Sequence, residues 1–134
     1  MSVLERNKAV VRRYASAFNK GDLKTLRSLF IPDAQIQGVL GAGQMEPIWQ
    51  QLIDGLGMQL DIQEMIAEGD TVAVRFREHG IFKAPFFGHE PTGKPYELVA
   101  MEWFQLRDGK ISARWAARDQ ASQARQTGML LDAA

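Results

Sequence analysis

The stretch Pro95-Tyr-Glu-Leu-Val-Ala-Met-Glu-Trp-Phe-Gln-Leu-Arg-Asp-Gly-Lys-Ile-Ser-Ala-Arg-Trp-Ala-Ala-Arg-Asp119 decides the fold, because it contains two strand-like runs joined by a short turn. Residues 95–106 and 111–119 both follow the period of two that is typical of a β-strand. Between them, Arg107-Asp-Gly-Lys110 carries the Asp-Gly pair that favours a tight hairpin. We therefore expect two antiparallel strands here.

Each of these strands carries one carboxylate on an otherwise apolar face. Glu102 shares its face with Leu98, Ala100, Phe104 and Leu106, and is expected either in a pocket or at a dimer interface beside an arginine. Asp119 shares its face with Ile111, Ala113, Trp115 and Ala117. An inward Asp119 could act as a general acid or base, whereas a strand that ends before it would leave Asp119 as the N-cap of the following segment.

The rest of the chain predicts helices first and strands afterwards. Helical spacing indicates a helix over 3–19, a second after the N-cap Asp22 that ends before Pro32, and a third that carries apolar residues from Met45 to Leu56. Strands are predicted over 35–39, 58–67 and 71–83, and a Gly- and Pro-rich loop over 85–94. The tail, 118–134, is expected to be weakly helical and partly frayed.

This order predicts an α+β protein in which residues 1–134 form a single domain. Three N-terminal helices would cover one face of a curved, mainly antiparallel sheet, whose inward apolar face encloses a cone suited to a small molecule.

Composition excludes several classes of function. The chain of 134 residues has 16 basic and 16 acidic residues and no cysteine. A zero net charge without basic runs argues against nucleic acid or a membrane as partner, and disulfides and thiolate metal sites are impossible. The two histidines, His79 and His89, have no partners arranged for a metal. No segment is typical of a signal peptide or a membrane span, so a cytoplasmic location is expected.

Four motifs resemble a known family. The opening, residues 12–34, is similar to that of the NTF2-like (nuclear transport factor 2-like) superfamily. Residues 66–75, the loop Gly88-His-Glu-Pro-Thr-Gly-Lys94, and Asp108-Gly-Lys-Ile with Trp115, Asp119 and Gly128 resemble the SnoaL-like polyketide cyclases. The similarity runs from about residue 7 to residue 128.

The resemblance implies a cone-shaped barrel, commonly a homodimer through its sheet, with a ligand pocket and no cofactor. It implies that Asp119 is the general acid/base of an intramolecular aldol closure. Gly80-Ile-Phe82 replaces the Gly-Thr-His of the cyclases, so their pocket histidine is missing. Tyr14 and Glu102 match the oxyanion-hole tyrosine and acid of ketosteroid isomerases, but the base of those enzymes aligns with Gly38.

Tyr14 is thus a candidate donor to a substrate oxygen, with a core tyrosine as the alternative. Aromatic side chains are candidate walls for an apolar ligand, with plain core packing as the alternative, and His89 lies in the loop over the expected pocket mouth. The candidate walls are Trp49, Phe82, Phe86, Phe87, Trp103 and Trp115.

The residues together predict a cofactor-independent cyclase or isomerase that transfers protons on a small, largely apolar carbonyl compound. Asp119 would take the proton, and Tyr14 with Glu102 would stabilise the enolate. One alternative is an enzyme that uses Glu102 and Asp119 to add water to an epoxide or alkene. Another is a small-molecule-binding or dimeric interaction module that catalyses nothing.

Overall fold

The structure is a computed structural model that describes residues 2–129, and these residues form four helices and six strands. The helices are α1 (Val3–Lys20), α2 (Leu23–Ser28), α3 (Ala42–Leu56) and α4 (Gln120–Thr127). The strands are β1 (Phe30–Ile36), β2 (Leu40–Gly41), β3 (Gln59–Glu68), β4 (Thr71–Ile81), β5 (Pro95–Arg107) and β6 (Lys110–Arg118). None of these helices is both long and apolar enough to span a bilayer.

All six strands belong to one open sheet in the order β2-β1-β6-β5-β4-β3. Neighbouring strands are antiparallel except β1 and β6, which are parallel. The prediction of an α+β protein with a mainly antiparallel sheet is confirmed. The prediction of a barrel is wrong in one respect. Strands β2 and β3 are the two edges of the sheet and do not pair with each other, so the sheet does not close.

The hairpin between β5 and β6 forms where the sequence predicted it. Asp108 and Gly109 have φ angles of 49° and 80°, and Arg107 pairs with Lys110. Positive φ at both central residues matches the right-handed twist of the two strands. The Asp-Gly pair therefore determines the register of the long central strands.

The helices differ from the prediction in number and in one boundary. Besides the three helices expected towards the N-terminus, residues 2–129 contain a fourth: part of the tail that was expected to be weakly helical and frayed forms the regular helix α4, which ends at the left-handed Gly128. Residues 130–134, the rest of the expected frayed tail, lie outside the described residues. Helix α2 ends at Ser28, and the chain enters β1 at Phe30, five residues before the predicted strand. Pro32 lies where the pairing with β6 is irregular, so its missing N–H costs no ladder bond.

A β-bulge in β6 decides which side chains face the core. Leu106 of β5 pairs with Ile111, but the preceding Gln105 pairs with Ala113, which leaves Ser112 as an extra residue. One extra residue moves every later side chain of the strand to the opposite face. The single-face alternation predicted for 111–119 is therefore interrupted at Ser112.

The core lies between the helices and the inner face of the sheet. Helices α1 and α3 contribute Tyr14, Phe18 and Trp49 to one hydrophobic cluster that also contains Phe76 and Phe104 of the sheet. Close contact between α3 and β4 requires Gly80, because a Cβ there would lie 2.2 Å from the Leu56 carbonyl oxygen.

Candidate active site

A cavity of about 420 Å³ opens between the inner face of the sheet, the helices α1, α3 and α4, and the loop that joins β4 to β5. Its helical walls are mostly apolar, and its floor on β4, β5 and β6 is charged. The apolar lining includes Phe18, Met45, Ile48, Trp49, Leu52, Met58, Leu60, Phe86, Phe87, Ala124 and Met129. Such a cavity suits a small, largely apolar ligand with a few polar groups on one side.

The first charged group of the floor consists of Glu102, Arg114 and Tyr14. Arg114 Nε donates to Glu102 Oε1 over 2.7 Å, and the Tyr14 hydroxyl donates to the same oxygen over 3.4 Å. The Arg114 guanidinium also lies 5.9 Å from the centre of the Tyr14 ring. Among residues 2–129, Glu102 Oε2 and the terminal nitrogens of Arg114 have no hydrogen-bond partner. These atoms are also not fully buried, because none of them is among the completely buried polar atoms of residues 2–129 that lack a hydrogen bond. This oxygen and these nitrogens are open to a ligand.

The second group consists of Glu78, Arg118 and Tyr96. Arg118 Nε donates to Glu78 Oε1 over 2.8 Å, and its Nη2 donates to Oε2 over 2.5 Å. Tyr96 donates its hydroxyl to the same Oε2 over 2.8 Å. Both oxygens of Glu78 are therefore engaged, which makes this group structural support beside the first one.

Burial and neighbouring charges together set the pKa values of Tyr14 and Arg114, the two groups that contact Glu102. Burial raises the pKa of Tyr14, the positive Arg114 opposes the rise, and the negative Glu102 adds to it, so the phenol stays protonated. Burial is the largest influence on the pKa of Arg114 and lowers it, but the charge and hydrogen bond of Glu102, together with Tyr14 and the charge of Glu78, outweigh burial and raise the pKa. The floor therefore holds a cation, a carboxylate and a neutral phenol side by side.

Asp119 lies outside the cavity. Its side chain is exposed and accepts a hydrogen bond from the Ser122 backbone N–H over 2.9 Å, as the N-cap of α4. The prediction that it points into the cone is wrong, because the bulge at Ser112 turns Arg114 and Arg118 inward and Asp119 outward. Glu102 does lie in the pocket, and its arginine partner comes from the same chain.

The predicted aromatic walls divide into three sets. Trp49, Phe86, Phe87 and His89 line the cavity as expected. Phe82 is fully buried in the core and does not reach the cavity wall. The prediction for Trp103 and Trp115 is wrong, because they pair directly across β5 and β6 on the outer face, where they are 50% and 38% exposed.

Sequence analysis did not identify three charged residues of the cavity floor, Glu78, Arg114 and Arg118. Glu78 was detectable, because it follows Val72, Val74 and Phe76 on the same face of β4 as the same kind of interrupting acid as Glu102. Arg114 and Arg118 were not, because their inward direction depends on the bulge. On the paired strands, Ala100 lies opposite Arg118 and Ala116 lies opposite Glu102.

A wider groove of about 600 Å³ lies on the outside, near the ends of β3, β4 and β5. Three of the side chains that line it are already paired, since Arg77 bonds both Asp61 and Glu97, and His79 also contacts Asp61. Within residues 2–129, no three acidic or histidine side chains converge in a way that could hold a metal ion. The cavity above the charged floor is therefore the candidate active site.

Comparison with known proteins agrees with this architecture. IdmH from Streptomyces antibioticus, provisionally assigned as a polyketide cyclase, is 29% identical with a TM-score of 0.81, and the match covers 91% of this chain and 98% of that chain. AclR from Streptomyces galilaeus, provisionally assigned as a hydroxylase, is 22% identical with a TM-score of 0.84, covering 96% and 99%. TsrD from Streptomyces laurentii is 19% identical with a TM-score of 0.85, covering 97% and 99%.

The last two similarities concern the fold alone. A search of curated protein sequences gives no match. The sequence profile of the SnoaL-like polyketide cyclases matches residues 8–127, which is most of the chain. The chain therefore belongs to the SnoaL-like polyketide cyclase family.

Proposed function

We propose that this protein is a cofactor-independent cyclase or isomerase that transfers protons, in an aldol-type reaction, on a small and largely apolar carbonyl compound. The observation that carries the proposal is the open oxygen of Glu102. Its Oε1 is held by Arg114 and Tyr14, while Oε2 has no partner among residues 2–129 and lies in a cavity with apolar walls. Membership of the cyclase family supports the same class of reaction.

Glu102 acts as the base in this proposal. Its Oε2 removes a proton from the carbon next to the substrate carbonyl, and the electrons of the broken C–H bond form an enolate. In a cyclase, the enolate carbon then bonds to a second carbonyl carbon of the same molecule, and the new alkoxide takes the proton back from Glu102. In an isomerase, the proton returns to a different carbon.

Tyr14 and the apolar walls complete the mechanism. The Tyr14 phenol stays protonated because burial raises its pKa, so it can donate a hydrogen bond to the developing enolate oxygen. The walls from α1 and α3 hold a flexible substrate close to its reactive conformation, which lowers the entropic barrier to ring closure. Glu102 is the base in this proposal, and not a protonated oxyanion-hole acid, because its Oε1 accepts hydrogen bonds from both Arg114 and Tyr14 and its Oε2 faces the cavity as an acceptor.

The water-adding alternative has less support. It needs two acids around one water, and Asp119 is the exposed cap of α4. Glu78 is the other carboxylate in the cavity, but Arg118 and Tyr96 occupy both its oxygens. A protein that only binds a small molecule would have the same cavity, and the following test distinguishes that alternative from an enzyme.

The test is hydrogen–deuterium exchange at the acetyl carbon of hydroxyacetophenones in D₂O, followed by NMR. We expect the wild-type protein to accelerate exchange, and Glu102→Gln to lower the rate by about 10²- to 10⁴-fold. Asp119→Asn is the matched control, because it neutralises the other candidate acid and keeps the cap, and it should leave exchange unchanged. Glu102→Asp, which keeps the charge, checks that a loss is not due to misfolding.

Two results would contradict the proposal. Loss of exchange in Asp119→Asn with retention in Glu102→Gln would restore Asp119 as the base. Saturable binding of the ketones without any acceleration by the wild-type protein would favour the binding module.

We also propose that the protein is a homodimer that uses the outer face of the sheet. Apolar side chains are exposed together on this face and come from β3, β5 and β6. They are Ile66, Val99, Met101, Trp103 and Trp115, each more than a third exposed. A contiguous apolar patch of this kind is typical of an interface.

A further inference from the structure

We propose that Arg114 selects the substrate by donating from both terminal nitrogens to two coplanar oxygens that are joined through three carbons. An enolised dicarbonyl or an ortho-hydroxy ketone has this arrangement. The inference rests on the proposed function, because it concerns the same cavity and adds the chemical class of the ligand.

The guanidinium of Arg114 is fixed by its bond to Glu102, but only its Nε takes part in that bond. It is bound to Glu102 through Nε alone, and it is 8% exposed and close to the Tyr14 ring. The terminal nitrogens carry four of the five N–H donors of an arginine, and they have no partner among residues 2–129. A planar fork of donors with a fixed orientation matches two oxygens in one plane.

Arg118 provides the contrast on the same strand. It is also turned inward, but it binds Glu78 through both Nε and Nη2, so its fork is already occupied. The two arginines differ because Glu78 faces Arg118 with both oxygens, whereas Glu102 offers Arg114 only Oε1. Arg114 is therefore the arginine of the floor whose two terminal nitrogens can both donate to a ligand.

Charge on the floor favours an uncharged ligand over a carboxylate. Glu102 neutralises Arg114 and Glu78 neutralises Arg118, so the floor attracts no additional anion. A ligand carboxylate on Arg114 would also lie beside the open Oε2 of Glu102 and be repelled by it. An uncharged pair of oxygens avoids this repulsion, and it acquires negative charge only when Glu102 removes its proton, next to the cation.

The test compares two isomers, ortho-hydroxyacetophenone and para-hydroxyacetophenone, by titration calorimetry at a pH where both are uncharged. The two isomers have the same composition and the same two functional groups, and they differ only in whether the hydroxyl and acetyl groups are on neighbouring ring carbons. We expect the ortho isomer to bind at least about tenfold more tightly, because a second charge-assisted hydrogen bond forms. Arg114→Lys replaces the fork by a point charge and should reduce the preference below about threefold.

Arg13→Gln is the matched control, because Arg13 is exposed on α1, and it should keep the wild-type preference. Equal binding of the two isomers by the wild-type protein would overturn the inference without any variant. An unchanged preference in Arg114→Lys would do the same. If Arg114→Lys does not fold, the double variant Glu102→Gln with Arg114→Gln removes both charges of the pair and must also lose the preference.

Failure of this inference is distinct from failure of the proposed function. Exchange of deuterium into both isomers with no ortho preference would leave the proton transfer by Glu102 intact and remove the role of Arg114. A clear ortho preference without any exchange would retain Arg114 as a binding residue and remove the catalytic proposal.

Discussion

Replacement of Glu102 by Gln is expected to lower the free energy of unfolding by about 3 kcal/mol, because it leaves the Arg114 guanidinium buried without its anion. The two residues are only 5% and 8% exposed, and a 2.7 Å bond joins them. Removing one partner of a buried pair costs about 3–5 kcal/mol. We expect the lower end of that range, because the terminal nitrogens of Arg114 open onto the cavity.

The measurement is urea unfolding at pH 7, followed by circular dichroism. A loss of about 3 kcal/mol corresponds to a shift of the urea midpoint on the order of 2 M. Glu64→Gln is the matched control, because Glu64 pairs with Arg75 on the exposed outer face over 3.5 Å, and it should cost less than about 0.5 kcal/mol. The double variant Glu102→Leu with Arg114→Met removes both charges and should stay within about 1 kcal/mol of the wild-type protein.

The reasoning would be refuted if Glu102→Gln cost no more than Glu64→Gln. It would also be refuted if the double variant, which leaves no unpaired charge, lost as much stability as Glu102→Gln.

Four further predictions follow from the same structure. Asp119→Ala should lower the free energy of unfolding by about 1 kcal/mol through loss of the α4 cap, while Asp119→Asn stays near the wild-type value; equal losses would argue against capping. Gly80→Ala should lower the free energy of unfolding by more than about 2 kcal/mol, because its Cβ would lie 2.2 Å from the Leu56 carbonyl oxygen. If thermal unfolding shows this variant to be as stable as the wild-type protein, α3 can move away from β4. Tyr14 and Tyr96, the two tyrosines of the chain, both have a pKa raised by burial above the usual 10.0. The unfolded chain therefore loses these protons first, so stability should fall as the pH rises above about 10, and tyrosinate absorbance should appear only with unfolding; its appearance in the folded protein would contradict their burial. Trp103→Glu should convert a homodimer into a monomer in light scattering, and an unchanged mass would remove the outer face as the interface.

Local signals of the sequence predicted most of the elements. The hairpin at Asp108-Gly109 and the caps at Asp22 and Gly21 lie where the sequence placed a turn and helix ends, because these residue types satisfy local backbone geometry. The strand over Phe30–Ile36 was predicted too short at its start. Pro32 is typical of a break, and only the irregular pairing with β6 accommodates it inside a strand.

The candidate site was predicted in part. Glu102 was found because an acid that interrupts an apolar face is a local pattern, and Tyr14 because it lies on the apolar stripe of α1. Both line the cavity. Asp119 showed the same pattern, but the extra residue at Ser112 reverses its direction. The alternative prediction, that Asp119 is an N-cap, agrees with the hydrogen bond that it accepts from the Ser122 backbone N–H.

The sequence by itself determined the α+β class, the hairpin and the apolar faces, since each depends on residues that are neighbours along the chain. Tertiary structure decided the direction of β6. The bulge at Ser112 arises from pairing with β5 and is invisible in the alternation of one strand. It places Arg114 beside Glu102 and Arg118 beside Glu78, and it sends Trp115 to the outer face. The charged floor of the cavity exists because strand register is a property of two paired strands, and one extra residue exchanges the faces of all that follow.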